Sequence, residues 1–116
     1  MAKAIANTGV EPRTVHLNRN GSTFEVDLDN KRLRVNNRPV RLSEREGCLL
    51  MFLVEFCGVV QSKEWLVQEM HDCGFRDFNE DRLRSLVNVL RGTLNASRAG
   101  AAALIETRPN GYLVDV

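Results

Sequence analysis

Three polar residues in the last third of the chain, Arg84, Asn88 and Arg91, follow one another at spacings of four and three positions. Positions i, i+4 and i+7 lie along one edge of an α-helix, so the three side chains line up if this segment is helical. A guanidinium can donate two hydrogen bonds to guanine O6 and N7, and a carboxamide can pair in the same way with adenine. This edge could read bases, although an ordinary solvated helix face with salt bridges has the same residue types.

The residues around this edge predict the helix that would carry it. Asn79 can cap a helix, and Glu80 and Asp81 suit its positive first turn. An apolar stripe at helical spacing follows, formed by Leu83, Leu86, Val87, Leu90 and Leu94. The sequence therefore predicts a helix over residues 79–95 whose stripe faces a core. The opposite face carries Arg82, Arg84, Ser85, Asn88 and Arg91.

Residues 15–42 have a period of two, which is typical of strands with one buried and one wet face. Apolar and polar residues alternate in four short segments, at 15–17, 24–28, 33–35 and 40–42. The joints between these segments are rich in asparagine, aspartate and glycine, which tolerate positive φ. Four strands with tight joints predict an antiparallel meander.

Two further helices are predicted between this meander and the 79–95 helix. Ser43 with Glu46 three residues later forms a capping box, and Gly58 is the expected C-cap of that first helix. Ser62 can cap a second helix, and residues 71–78 are expected to form a loop.

The C-terminal segment predicts a β-hairpin after a small, polar connector at residues 95–103. Strands at 104–107 and 112–116 flank the turn Arg108–Gly111. Three helices followed by a hairpin form a winged helix, a helix-turn-helix variant whose third helix can enter the major groove of DNA. We expect one such domain at residues 14–116, preceded by a flexible tail at residues 1–13.

Several stretches of the chain match a known family when they are taken in order. They are Leu42–Glu46 with Leu49-Leu50, Gly58–Val60 with Leu66, Leu86–Arg91 with Leu94, and Ile105–Thr107 with Gly111-Tyr112. With the four-strand preface, they make the chain resemble the OmpR/PhoB-type winged-helix DNA-binding (effector) domain of bacterial transcription regulators. The resemblance covers roughly residues 14–116.

This resemblance implies both a fold and a function. The implied fold is α+β: a winged helix-turn-helix with an N-terminal four-stranded antiparallel sheet, three helices and a C-terminal β-hairpin wing. The implied function is sequence-specific binding of duplex DNA by a transcription regulator, with helix 79–95 in the major groove and wing 104–116 at the minor groove or backbone. The residues that would contact DNA are Arg82, Arg84, Ser85, Asn88, Arg91, Lys63, Arg108 and Asn110.

Within that set, Arg84, Asn88 and Arg91 would read bases, and most of the others would hold the backbone. Lys63 lies at the start of the second helix, where Ser62 and Lys63 could also meet a phosphate through backbone N–H groups.

The resemblance also assigns partners. The loop at residues 71–78 corresponds to the segment that meets RNA polymerase in several members of the family, and its candidate partner residues are Phe75, Arg76 and Phe78. At least one of these phenylalanines is expected to close the core. We also expect a dimer on DNA, or another DNA-bound regulator, because a single copy would bind with modest affinity.

The chain departs from the family at positions that usually supply charge. Val89, Gly92 and Thr93 stand where members carry basic residues, and the wing turn looks one residue shorter than usual. Fewer phosphate contacts mean lower affinity and a shallower salt dependence. The alternative function is therefore a winged-helix protein-interaction module, a co-regulator or anti-activator with weak or no DNA binding.

The net charge of +1 hides an uneven distribution along the 116 residues. Residues 1–41 hold eight basic and four acidic side chains, a balance of +4. Residues 42–81 hold three basic and nine acidic ones, a balance of −6, and residues 82–116 five and two, a balance of +3. A near-neutral total therefore does not exclude a nucleic-acid partner, because opposite surfaces can carry opposite charge.

Other classes of function find little support. Three cysteines do not make a disulfide framework, so a cytoplasmic protein is expected, and no apolar run is long enough to span a membrane. His71-Asp72-Cys73 supplies too few ligands for a zinc site, and no nucleophile–base set can be assembled. We expect neither an enzyme nor a metal or other cofactor.

Overall fold

The computed structural model describes residues 13–115, and within that range it contains seven β-strands, three α-helices and one 3-10 helix. In chain order these are β1 (Thr14–Arg19), β2 (Ser22–Asp27), β3 (Arg32–Val35), β4 (Arg38–Val40), α1 (Glu44–Glu55), β5 (Gln61–Ser62), α2 (Lys63–Asp72), α3 (Glu80–Ser97), the 3-10 helix (Ala101–Leu104), β6 (Ile105–Arg108) and β7 (Gly111–Val114). The predicted α+β order is confirmed. Residues 1–12 of the predicted tail lie outside the described residues, as does Val116.

The first sheet is an antiparallel meander in the order β1-β2-β3-β4, as the period of two predicts. Its inner face is apolar and buried, formed by Leu17, Phe24, Val26, Leu33 and Val35. Asn20-Gly21 and Asn36-Asn37 connect the strands with positive φ, which these residue types tolerate. The polar residues between the apolar ones form the outer face of this sheet.

Each α-helix begins at the cap that the sequence predicts. The Ser43 hydroxyl accepts a hydrogen bond from the Glu46 backbone N–H at 3.2 Å, and the Glu46 carboxylate accepts one from the Ser43 N–H at 3.1 Å. Ser62 and Asn79 cap α2 and α3, each accepting from the backbone N–H three residues ahead. These bonds satisfy donors that a helix leaves unpaired at its N-terminus.

The helix ends differ from those that the sequence predicts. The C-cap of α1 is Phe56, so the expectation that Gly58 caps this helix is wrong. Gly58 instead turns the chain two residues later with φ +84°, and its N–H donates to the Val114 carbonyl at 2.9 Å. α2 continues to Asp72, into the segment expected to be a loop, and α3 continues to Ser97.

The second sheet has the strand order β5-β7-β6. β6 and β7 confirm the predicted hairpin, with a turn that contains only Pro109 and Asn110. β5 is a two-residue strand that the sequence pattern does not predict, because so short a segment has no period and its partner β7 lies far along the chain. A Cβ atom on Gly111 would overlap the Gln61 carbonyl oxygen, so the pairing of β5 with β7 requires glycine there.

α1 is the central helix of the core and contacts β2, α2, α3 and β7. Leu49 and Leu53 on α1 are completely buried. Across the core, the Thr93 hydroxyl of α3 donates to the Glu46 carboxylate of α1 at 2.6 Å. Apolar packing and this hydrogen bond together hold α3 in one orientation, which leaves its polar face outward.

Candidate nucleic-acid interface

The outer face of α3 carries two polar side chains that are free to bind an external group. The apolar stripe is buried against the core and consists of Leu83, Leu86, Val87, Leu90 and Leu94. Ser85 and Asn88 lie exposed on the opposite side, and neither side chain has a hydrogen bond to another residue between 13 and 115. The Asn88 carboxamide therefore offers a donor and an acceptor to solvent from the middle of a packed helix.

The two arginines at the start of α3 are paired with carboxylates of the chain itself. Arg84 lies 2.7 Å from Asp81, one turn earlier on the same helix. Arg82 lies 3.3 Å from Asp77, which also binds Arg45 at 3.2 Å. Although desolvation acts to raise the pKa of Asp77, the guanidiniums of Arg45 and Arg82 lower it below its ordinary value. Both predicted DNA-contacting arginines of this turn therefore have their charge partly neutralised.

Arg91 joins α3 to the wing instead of extending freely along the predicted edge. Its guanidinium donates to the Ile105 carbonyl at 2.9 Å and to the Thr107 hydroxyl at 2.8 Å. The structure thus brings Arg84 and Asn88 together on the exposed face and directs Arg91 toward β6. The sequence gives no signal for this bond, because its partners come from a strand after the intervening connector.

The wing carries a small ion-pair network at its base. Arg108 lies 2.6 Å from Glu106, and Arg19 of the first sheet lies 3.6 Å from the same carboxylate. A hydrogen bond with Asp115 and one with Arg108 lower the pKa of the Glu106 carboxyl. Asn110 lies exposed in the turn, with no side-chain hydrogen bond to the described residues. The wing tip therefore offers a free amide and a paired guanidinium.

Lys63 lies beside the wing tip at the start of α2. Its backbone N–H donates to the Asn110 carbonyl at 3.1 Å. The expectation that this N–H could meet a phosphate is therefore wrong, because the donor is already used. The half-buried Lys63 side chain has no ion pair within residues 13–115, so its ammonium group remains available.

No protein-family model and no curated protein sequence matches the chain significantly. Solved structures do match. The DNA-binding domain of the response regulator AdeR, solved in complex with an intercistronic region, is 23% identical, with a TM-score of 0.66 over 85% of this chain and 96% of that chain. The C-terminal DNA-binding domain of RstA from Klebsiella pneumoniae is 19% identical, with a TM-score of 0.64 over 94% of each chain.

A third similar structure is the C-terminal domain of the nisin resistance regulator NsrR, a lantibiotic response regulator. It is 24% identical, with a TM-score of 0.62 over 73% of this chain and 84% of that chain. The chain has the OmpR/PhoB-type winged-helix fold. In this winged-helix domain, α3 occupies the position of the third helix and β6–β7 that of the wing.

The loop after α2 of the winged-helix domain keeps its aromatic side chains inside. Phe78 is buried, and Phe75 packs against the core, so the expectation that at least one phenylalanine closes the core is confirmed. The Arg45 guanidinium lies 5.0 Å from the Phe75 ring centroid and 5.9 Å from that of Phe78. Of the three predicted partner residues, Phe78 is therefore inaccessible to a partner, whereas Arg76 is exposed.

A second basic surface lies on the first sheet, away from α3. It comprises four exposed side chains, Lys31, Arg32, Arg34 and Arg41, none of which has an ion pair within the described part of the chain. A groove of about 860 Å³ runs over this sheet surface, and the carboxylates of Glu25 and Asp27 line it together with the basic side chains. This surface was not predicted, although five basic residues lie within positions 31–41 of the sequence.

Residues 13–115 contain neither a cluster of metal-ligating side chains nor a membrane-spanning helix. No group of three or more His, Cys, Asp or Glu in this range could hold a metal ion. Cys48, Cys57 and Cys73 are all free thiols, and burial raises the pKa of Cys57 and of Cys73. None of the helices in the same range is long and apolar enough to cross a membrane.

Proposed function

We propose that the chain is a cytoplasmic transcription regulator that binds duplex DNA sequence-specifically, with α3 in the major groove and the β6–β7 wing at the minor groove or backbone. The observation that carries the proposal is the pair Ser85 and Asn88, which lie exposed on a helix fixed by its opposite face and have no side-chain hydrogen bond to residues 13–115. The fold shared with an effector domain solved on DNA supports it.

The contacts divide into base reading and positioning. Asn88 is suited to adenine, since a carboxamide can bind adenine N6 and N7 together. A backbone hydrogen bond from Lys63 to Asn110 joins the N-terminus of α2 to the wing tip. The side chains of these two residues suit phosphate or minor-groove contact. Arg82, Arg84 and Arg108 would exchange their internal carboxylates for phosphates, at the cost of those ion pairs.

This arrangement favours modest affinity for one copy. Because three arginines must first give up an internal carboxylate, the net gain from each phosphate contact is reduced. A dimer on DNA, or a complex with RNA polymerase or another regulator, would compensate by avidity. Arg76, exposed in the loop after α2, is the residue best placed to meet such a partner.

The test is selection of binding sites from a random duplex pool, followed by salt titration on the selected duplex. We expect an enriched sequence and a logarithmic salt slope of about −2 to −4, corresponding to two to four phosphate contacts. Asn88→Ala should lower affinity by about 5- to 150-fold on that duplex, the equivalent of one bidentate base contact. Asn18→Ala, an exposed asparagine on β1, is the matched control and should leave affinity unchanged.

The internal pairing of the α3 arginines favours the second candidate, a protein-interaction module with weak or no DNA binding. That function predicts no enriched sequence, and equal weak binding of random DNA by the wild type and Asn88→Ala at low salt. Such a result would overturn the proposal of sequence-specific recognition.

A further inference from the structure

The centre of the outer face of α3 carries only uncharged residues, and they are of small or moderate size. Val89 is 55% exposed, and it is the one large apolar residue of α3 that lies outside the buried stripe. It stands four positions after Ser85 and three before Gly92, so these three residues follow one line along the helix. A strip of uncharged residues with short side chains therefore runs beside Asn88.

Packing within the chain requires neither a valine at position 89 nor a glycine at position 92. The core is complete without Val89, because all five stripe residues of α3 are already buried. A Cβ atom on Gly92 would meet no atom of the described residues within 4 Å, although glycine is among the least favourable residues in a helix interior. The missing side chain at position 92 instead leaves the helix backbone open to close approach from outside.

The groups on this face of α3 are more complementary to A·T pairs than to G·C pairs. Of the guanidiniums that could read guanine, that of Arg91 is bonded to the wing, and that of Arg84 would exchange Asp81 for a phosphate. The free carboxamide of Asn88 suits adenine, and an exposed apolar side chain beside it suits the C5-methyl group of thymine. Asn88 and Val89 together are thus complementary to the two bases of A·T pairs.

We propose that Val89 is a specificity-determining residue that contacts thymine methyl groups in the major groove, and that Gly92 allows this part of α3 to approach the DNA closely. The inference rests on the proposed function, since it applies only when α3 enters the major groove. It predicts that the site recognised by the chain has an A·T-rich core.

The test compares two versions of the duplex selected from the random pool. One contains thymine, and the other contains uracil at the core A·T pairs, which removes only the C5-methyl groups. We expect uracil to weaken wild-type binding by about three- to fivefold for each methyl group that Val89 contacts, as the removal of buried apolar surface requires. Uracil placed outside the protected region of the duplex should have no effect.

Val89→Ala should lower affinity for the thymine duplex and abolish the difference between thymine and uracil. Val59→Ala is the matched control, because Val59 is 57% exposed and lies away from α3 in the loop after α1. That variant should keep the full difference. Thermal unfolding of both variants, expected to match the wild type, verifies that the fold is intact.

Gly92→Ala separates a binding role from a structural one. Alanine favours the helix, so the variant should unfold at a higher temperature than the wild type. If Gly92 serves close approach, the same variant should bind the selected duplex at least fivefold more weakly. Higher stability together with unchanged affinity would overturn this part of the proposal.

The possible results distinguish the inference from the function on which it rests. If no duplex is enriched, both the proposed function and the inference about Val89 and Gly92 are overturned. An enriched duplex that the wild type binds equally well with thymine or uracil would overturn the role of Val89 and leave DNA recognition standing. A thymine preference that persists in Val89→Ala would also overturn it, because the methyl groups would then be read by another residue.

Discussion

The exposed arginines of α3 and those of the first sheet differ in what they contact. Arg82 and Arg84 on α3 each lie within 3.3 Å of a carboxylate oxygen of the chain. Arg32 and Arg34 on β3 have no ion pair among residues 13–115, and neither has Arg41 just after β4. A guanidinium with a carboxylate beside it presents a weaker positive field to an incoming anion than an unpaired one.

This difference shows that the net charge of a sequence segment does not reveal which part of the protein surface is positive. The balance of +3 in residues 82–116 makes α3 and the wing look strongly basic, but aspartates from the preceding segment pair with two of its arginines. On the first sheet, Arg32 and Arg34 form no ion pair among the described residues, although Asp27 and Glu25 stand opposite them in the β2–β3 register. In the proposed mode of binding, α3 recognises bases through the amide of Asn88 and the apolar side chain of Val89, whereas the sheet offers mainly charge.

The largest effect is expected where the wing is attached. Gly111→Ala would force a Cβ atom onto the Gln61 backbone and should lower the free energy of unfolding by about 3 kcal/mol, as overpacking does. Gly21→Ala in the first sheet meets no atom within 4 Å but has φ +78°, so it should cost about 1 kcal/mol. Urea unfolding of both variants measures the difference. Equal losses would contradict the tight β5–β7 contact.

A smaller loss of stability is expected from the arginine that joins α3 to the wing. Arg91→Ala removes two hydrogen bonds and should lower the free energy of unfolding by about 1–3 kcal/mol. Thr107→Val removes one of them and should cost less. Arg34→Ala on the sheet should change the free energy of unfolding by less than about 0.5 kcal/mol. If Arg34→Ala destabilised the protein as much as Arg91→Ala, the contrast between bonded and free arginines would be lost.

Releasing a paired arginine should strengthen DNA binding. Asp81→Asn frees Arg84, so affinity for the selected duplex should rise by about two- to fivefold at low salt, and the gain should disappear at high salt. Glu44→Gln makes the same change in net charge at a carboxylate that has no ion pair within residues 13–115, and it serves as the control. Equal gains in the two variants would mean that overall charge, not the release of Arg84, determines affinity.

The smallest effect concerns the pH dependence of the wing base. The folded protein lowers the pKa of Glu106 through its hydrogen bonds with Asp115 and Arg108. A lowered carboxyl pKa stabilises the fold fully above the ordinary value of 4.5, and this stabilisation is lost as pH falls through the folded pKa. The difference in melting temperature between the wild type and Glu106→Gln should therefore be largest near pH 7 and shrink below pH 4.5. A constant difference would show that Glu106 does not titrate with folding.

Local signals in the sequence were sufficient for most of the architecture. The side chains of Ser43, Ser62 and Asn79 cap the helices because each reaches an N–H only three residues away. The strands of the first sheet follow from alternation, which is a property of consecutive residues. The buried stripe of α3 follows from helical spacing in the same way.

The candidate site could be predicted only in part. Arg82, Arg84, Ser85 and Asn88 lie on the exposed face of α3 as predicted, whereas the partners of Arg91 could not be inferred from spacing. Whether Phe78 faces solvent or the core depends on how the loop after α2 packs against Arg45 and α1. The basic surface of the first sheet could have been predicted, because five basic residues lie within positions 31–41.

By itself, the sequence determined the type and order of the elements, the caps of the helices and the face of α3 that must be buried, because all of these depend on residues within one or two turns of each other. Tertiary structure alone decided that β5 pairs with β7, that Arg91 holds the wing, and that Asp77 binds Arg45 of α1 as well as Arg82. These outcomes depend on contacts between segments that are distant along the chain, and the energy of an ion pair or hydrogen bond depends on a separation of a few ångströms that no sequence pattern encodes.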